Sequence, residues 1–336
     1  MKQFISKLLS FVLIIIILVL IVTFINYKLI NNSSFWKFPD KTRFIVFGHS
    51  HSAYAFNDSL ITNMSNYSSS GEAYFYTYLK VKKIIPNNKQ IKVVFIEFDN
   101  TSVDKKMDLW TWGDENIYSQ FPSYFPLLTY PEFKLLWSKN SKAILNCAPQ
   151  SFIKSIGYDY LKALHFEKGI TSYRFGGYSY NIRDKTDSLI NNLQKKPNIE
   201  KTKNEISETS ITYLSKIIDL CRLNEVKVFL IRSPILYKYT GLENEQYLNE
   251  LLGTKFSDYE FLDFKDFPLR NNEFGDFSHL NYRGAKKFSI FFNSLLESGF
   301  LNKPNKQHIL KNKISTLTDT LNASNINLIT GDNFTH

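Results

Sequence analysis

Phe44-Ile45-Val46-Phe47 is apolar on both faces that a strand presents, and it runs straight into Gly48-His49-Ser50-His51-Ser52. Successive strand residues point to opposite faces, so such a run needs cover on both sides, which a parallel sheet flanked by helices supplies. In open sheets of that kind ligands bind beyond the carboxyl ends of the strands. A serine just past the strand is therefore presented to a crevice instead of the core. Ser50 is the residue whose partners the remaining sequence has to provide.

Strand and helix signals alternate along the chain. After the strand from Arg43 to Phe47, Ala53 to Met64 has near-helical spacing. Ser68-Ser69-Ser70-Gly71-Glu72 reads as a helix start, with Tyr74, Tyr78, Val81 and Ile85 on one face and Pro86-Asn87-Asn88 as the stop. A strand is expected at Ile91 to Phe98. Residues 101–203, rich in Trp, Tyr, Phe and Pro, read as an irregular insertion, a cap or substrate-loop region. Alternation resumes with a helix at Thr209 to Leu223, a strand at Val226 to Ile231 and a helix at Glu243 to Leu252. A last strand at Tyr259 to Phe264, a loop through Gly275 to His279 and a closing helix at Arg283 to Leu296 follow. This order predicts an α/β fold with a mainly parallel sheet covered on both faces. The α/β domain is expected over residues 43–300, followed by a polar tail over 301–336 that is either a surface helix or disordered.

From Leu8 to Ile25 only Ser10 and Thr23 interrupt an apolar run, and about 18 such residues suffice to cross a bilayer as a helix. No small-residue cleavage pair follows, so residues 1–27 read as an uncleaved signal anchor, with 28–42 as a linker. Lys2 and Lys7 before the segment and Lys28, Lys37, Lys41 and Arg43 after it do not settle the orientation, but a single N-terminal anchor favours export of the long part behind it; the expected place is the cytoplasmic (inner) membrane, single-pass, with the bulk extracytoplasmic. The net charge of +10 is spread over single lysines with no basic stripe or zinc-finger pattern, which argues against a nucleic-acid partner and suits a lipid surface. The two cysteines, Cys147 and Cys221, lack metal-ligand spacing and read as buried thiols or one disulfide.

A serine hydroxyl needs a histidine to take its proton, and the histidine needs a carboxylate to fix its tautomer. Of the six histidines, His279 follows the last predicted strand and stands three residues after Asp276, close enough for one turn to join them. Ser52 is an alternative nucleophile, displaced two residues into the next segment. The Asp-x-His and Gly-Asn-His elements of two-metal phosphoesterases are missing, so no metal and no cofactor are expected.

Gly48-His49-Ser50-His51, with Asp276-Phe277-Ser278-His279-Leu280-Asn281 and Gly284-Ala285 near the end, resembles the SGNH (GDSL-type) hydrolase superfamily. The resemblance implies a three-layer α/β/α sandwich on a five-stranded, flavodoxin-like sheet, preceded here by one transmembrane helix. It implies catalytic roles for Ser50, Asp276 and His279, and an oxyanion hole from Ser50, Gly71 after strand two and Asn100 after strand three. The Glu97-Phe98-Asp99-Asn100 context departs from the family's Gly-x-Asn-Asp, and His49 replaces the usual acid or amide. His51, Arg232 and Arg174, the last beside Gly176 and Gly177, are candidate substrate contacts, and Trp110 and Trp112 could stack on sugars.

The anchored, exported branch of that superfamily transfers or removes acyl groups on cell-surface polymers. The resemblance thus implies an O-acyltransferase or carbohydrate esterase acting on a cell-surface polysaccharide, with a multi-span membrane acyltransferase as a partner in the transfer case. The competing class is a non-catalytic polysaccharide-binding or assembly factor on a degenerate SGNH fold.

Overall fold

A computed structural model describes residues 2–32, 36–164, 175–193 and 205–331. In chain order the elements are α1 (Lys2–Asn31), β1 (Phe44–Phe47), α2 (Ser50–Ala55), β2 (Met64–Asn66), α3 (Tyr74–Asn87) and β3 (Val93–Glu97). Then come α4 (Asn100–Val103), α5 (Met107–Trp112), α6 (Asp114–Tyr124), α7 (Tyr130–Leu164), α8 (Thr186–Leu193) and α9 (Glu208–Leu223). The chain closes with β4 (Lys227–Arg232), α10 (Glu245–Gly253), β5 (Glu260–Asp263), α11 (Tyr282–Glu297) and α12 (Lys306–Gly331).

The five strands form one sheet in the order β2-β1-β3-β4-β5, every pair parallel. β1 and β3 lie in its middle, and Ile45, Val46, Phe47 and all of β3 are buried. Two apolar layers cover the faces. On one side Ile45, Phe47, Val94 and Ile96 meet α3 and α9 through Phe75, Leu79, Leu214 and Ile217. On the other, Val46, Phe95, Phe229 and Ile231 meet α11 through Phe288 and Phe292. The two-sided burial that β1 demanded is thus met by helices on both faces.

Three expectations are corrected. Ala53 to Met64 is not one helix: α2 stops at Ala55 because the Asn66 amide donates to the carbonyls of Ser52, at 3.0 Å, and Phe56, at 2.8 Å. Asn66 itself belongs to β2, an edge strand with a polar sequence. The helix expected to start at Ser68–Glu72 begins at Tyr74 instead, capped by Ala73 without a side-chain bond, because Gly71 takes a left-handed φ of 70°. The insertion is mostly helical over residues 101–164, whereas residues 176–185 have no regular secondary structure, as expected of an irregular segment. α6 and α7 bury Ile117, Phe121, Tyr124 and Leu136 against the same core as α3, and α7 bends at Asn140. The tail forms α12, which packs on β5. Cys147 and Cys221 are buried thiols not joined in a disulfide.

The apolar N-terminal segment is one helix, α1, of which Lys2–Ile25 is long and apolar enough to cross a membrane or to serve as a signal sequence. The residues behind it are packed onto the domain. Ile30 and Trp36 are fully buried, the Trp36 indole donates to the Ile30 carbonyl at 2.6 Å, and Asn88 ties down the Trp36 carbonyl at 2.7 Å.

Candidate active site

The turn after β1 is tight for a steric reason. A Cβ on Gly48 would lie 2.3 Å from Ser52 Oγ and 2.4 Å from the Glu97 Cβ, so the backbone passes between them only as glycine. His49 then caps α2, its Nδ1 accepting the His51 N–H at 3.3 Å. An imidazole thereby does what an Asp or Asn side chain does at a helix start. Ser50 follows as the first residue of α2, at the carboxyl edge of the sheet.

The chain ends of the sheet bring its partners. His279 Nε2 lies 2.7 Å from Ser50 Oγ, across 229 residues of sequence. Its Nδ1 lies 2.9 and 3.0 Å from the two oxygens of Asp276. Asp276 is fixed in turn by the N–H groups of Ser278 and His279, both at 3.0 Å. Burial pushes its carboxyl up, but the His279 hydrogen bond and charge and the two N–H donors outweigh that and hold it at about 2. An ionised carboxylate therefore faces Nδ1, which keeps Nε2 free to accept the serine proton. The rings of His51 and Tyr54 meet the His279 ring at 68° and 67°, with centroids 5.3 and 5.1 Å away, and limit its rotation.

Gly71 sits on the loop between β2 and α3, which is bound to the serine turn by the Ser69 N–H donating to Gly48 O at 3.0 Å. The loop is anchored below by the fully buried Glu72–Lys80 pair at 2.8 Å, with the Tyr124 hydroxyl donating to the same carboxylate. The positive φ of Gly71 explains why glycine stands there.

Two expected residues are committed elsewhere. The Asn100 amide donates to Asn244 and Glu245, both at 2.9 Å, and its oxygen accepts from Arg232 at 2.9 Å. Both of its N–H bonds are used, which contradicts the oxyanion assignment. Arg232 is buried in the same network, donating to both oxygens of Glu245 and both of Asp263. With its charge neutralised on two sides it is not available to a substrate. Gly177 donates to the Ser68 carbonyl at 2.9 Å and Gly176 has a φ of 126°, so this pair docks a strap onto the β2 loop. Arg174 lies outside the described residues. Trp110 meets the ring of His49, with centroids 5.9 Å apart.

Asp99 is the residue that the sequence reading missed. Laid on Glu97-Phe98-Asp99-Asn100, the family pattern Gly-x-Asn-Asp puts Asp99, not Asn100, at the asparagine. Its carboxylate meets His51 Nδ1 at 2.5 Å and His49 Nε2 at 3.1 Å, and accepts the Ser102 N–H and hydroxyl at 2.8 and 2.7 Å. Burial works against its charge, but the two imidazoles prevail and hold it well below the usual carboxylate range. Glu97, beneath it, is pushed up to about 7 by burial and then by Asp99. The strap continues to Asp276, which Arg183 reaches at 3.4 Å, a further contact the sequence did not signal.

His49, His51 and Asp99 are also the one group of three metal-ligating side chains within reach of each other among the described residues. Its chemistry suits a proton-bearing network better than an ion. A metal-bound imidazole donates from its second nitrogen, whereas His49 Nδ1 faces the His51 N–H and must accept. The hydrogen on Nε2 then points at Asp99.

No curated protein matches the chain in sequence. A protein-family model matches residues 158–301, less than half of the chain, a span that holds Asp276 and His279 but not Ser50. Among solved structures, the chain is similar to a GDSL-like lipase from Bacteroides thetaiotaomicron, with 10% identity, 81% of this chain and 98% of that chain covered, and a TM-score of 0.38. It is also similar to a protein described as an acylhydrolase from Bacteroides fragilis, with 9% identity, coverage of 78% and 91%, and a TM-score of 0.35. The assignment of fold rests on the molecule itself: an all-parallel sheet in the order β2-β1-β3-β4-β5, a serine after β1, and an Asp-x-x-His before the helix that closes the sheet. The chain has a three-layer α/β/α fold on a five-stranded parallel sheet, and its motifs stand where they do in the SGNH/GDSL-type hydrolases that it resembles.

Proposed function

We propose that this is a membrane-anchored serine acyl-ester enzyme that transfers an O-acyl group, in the first place acetyl, to a cell-surface polysaccharide or removes it. The observation that carries the proposal is the continuous hydrogen-bond chain from Ser50 Oγ through His279 to Asp276. Ser50 Oγ attacks the ester carbonyl as its proton passes to His279 Nε2. The tetrahedral oxyanion is met by the backbone N–H groups of Ser50 and Gly71, and His51, held by Asp99, contacts the substrate. Collapse breaks the C–O bond to the leaving alkoxide, which takes the proton from His279. A sugar hydroxyl or water, deprotonated by His279, then attacks the acyl-serine and releases Ser50. If the acceptor is a sugar the reaction is transfer, and a multi-span membrane acyltransferase supplies the acyl group from across the bilayer.

One observation favours a second reading, a polysaccharide-binding or assembly factor without turnover. An anion, Asp99, stands where the family has an amide donor, and losing one oxyanion donor costs about a hundredfold or more in rate. Hydrolysis of p-nitrophenyl acetate by the full-length protein in detergent, with and without an oligosaccharide acceptor, separates the readings. Turnover that Ser50→Ala abolishes supports the enzyme, and acetylated oligosaccharide identifies transfer. Folded protein that turns over no ester with either acceptor leaves the binding factor.

A further inference from the structure

The bilayer anchor does not end in a loose tether. α1 runs unbroken from the apolar span Lys2–Ile25 to Asn31, and its last turn is built into the domain. Ile30 is fully buried, the Asn31 amide donates to the Pro126 carbonyl at 3.2 Å, and Lys83 donates to the Asn31 side-chain oxygen. Asn31 lies six residues past Ile25, about 9 Å along a helix at 1.5 Å per residue. A headgroup layer is of that order of thickness. Whatever packs against this end of α1 therefore lies at the membrane surface.

The elements that pack there are α7 and the short turn Phe125–Leu127 just before it, and Val22 and Thr23, inside the span itself, are only half exposed. The outer face of this elbow has an interfacial composition. Phe125 is exposed, as are Tyr130 at 75% and Trp137 at 42%, with Lys134 and Lys139 exposed among them. Tyr130, Lys134 and Trp137 recur at i, i+4 and i+7, on one side of α7. Tyrosine and tryptophan concentrate at membrane interfaces, and lysine is attracted to anionic headgroups.

We infer that the exposed face carrying Phe125, Tyr130 and Trp137 docks onto the bilayer that α1 spans, so that the α/β domain rests on the membrane at a set height. This rests on the reading of α1 as a transmembrane anchor. The occupant follows from continuity: the helix that enters the lipid is bonded to the turn that opens the face.

The test uses full-length protein reconstituted into vesicles of phosphatidylcholine and phosphatidylglycerol. An environment-sensitive fluorophore is placed at Tyr130→Cys or at Ile182→Cys, an equally exposed position beside Arg183 on the site rim, with wild type as the blank for the buried native thiols. The expected result is blue-shifted emission, quenched by brominated lipid, at position 130, and unquenched aqueous emission at position 182. Protein that floats with the vesicles and resists alkaline extraction, yet shows the same aqueous emission at both positions, overturns the docking alone. Protein that is stripped from the vesicles by alkali overturns the anchor and the docking with it.

Discussion

Asp99 joins both histidines of the serine turn, lying 2.5 Å from His51 Nδ1 and 3.1 Å from His49 Nε2. In the SGNH pattern that the motifs resemble, a carboxylate or amide stands in the turn and an asparagine follows strand three. In this chain a histidine stands in the turn and a carboxylate at the strand end. His49→Asp alone sets two buried carboxylates against each other and is expected to destabilise by about 3 kcal/mol, the scale of a broken buried pair. Combined with Asp99→Asn, it is expected to recover at least about 1 kcal/mol of that loss, as coupled neighbours do. Denaturation of the four proteins in detergent measures the cycle, and additive losses would refute the exchange.

Asn100→Ala distinguishes a structural amide from an oxyanion donor. It strips partners from buried Arg232 and Asn244 and from half-buried Glu245, so stability is expected to fall by about 1–3 kcal/mol. Ester turnover per folded molecule should change less than tenfold, against the roughly hundredfold loss of a true donor. Unfolding curves and active-site-titrated rates give the two numbers.

Glu97 imposes a pH dependence of known sign. Its folded value is raised from 4.5 to about 7, so the stability it contributes is fully present below about 4.5 and is lost as pH rises through about 7. Thermal midpoints are expected to fall between pH 6 and pH 8, and Glu97→Gln should flatten that part of the profile. Asp276 acts in the opposite sense in a separate window. Its contribution is present above 3.8, its ordinary value, and is lost as pH falls toward 2.

The strands that were legible in the sequence are those whose burial is written in composition. β1, β3 and β4 are apolar runs, and β5 follows from its place in the alternation. β2 was not legible, because Met64-Ser65-Asn66 is an edge strand with one apolar residue whose asparagine serves as a clamp. The helices of the insertion were obscured by Pro122 inside α6, by Pro149 inside α7 and by the bend at Asn140, which break helical periodicity without ending the helices. At the site, Ser50, Asp276 and His279 were legible because each stands in a short motif at a chain-order position that a parallel sheet makes adjacent. Asn100 has the residue type of an oxyanion donor but stands one position late in that pattern. The register of Gly-x-Asn-Asp together with the histidine at 49 was the signal that pointed to Asp99, and it needed the 3.1 Å contact to become meaningful.

Ser50 is proposed to be a nucleophile activated by His279. Labelling of the full-length protein with a fluorophosphonate, followed by peptide mass spectrometry, tests it most directly. The expected result is one modified residue, Ser50, no labelling in Ser50→Ala, and a rate in His279→Ala reduced by about a thousandfold or more, as removal of a triad base does. Folded wild-type protein that stays unlabelled, or labelling that persists in Ser50→Ala, would contradict it.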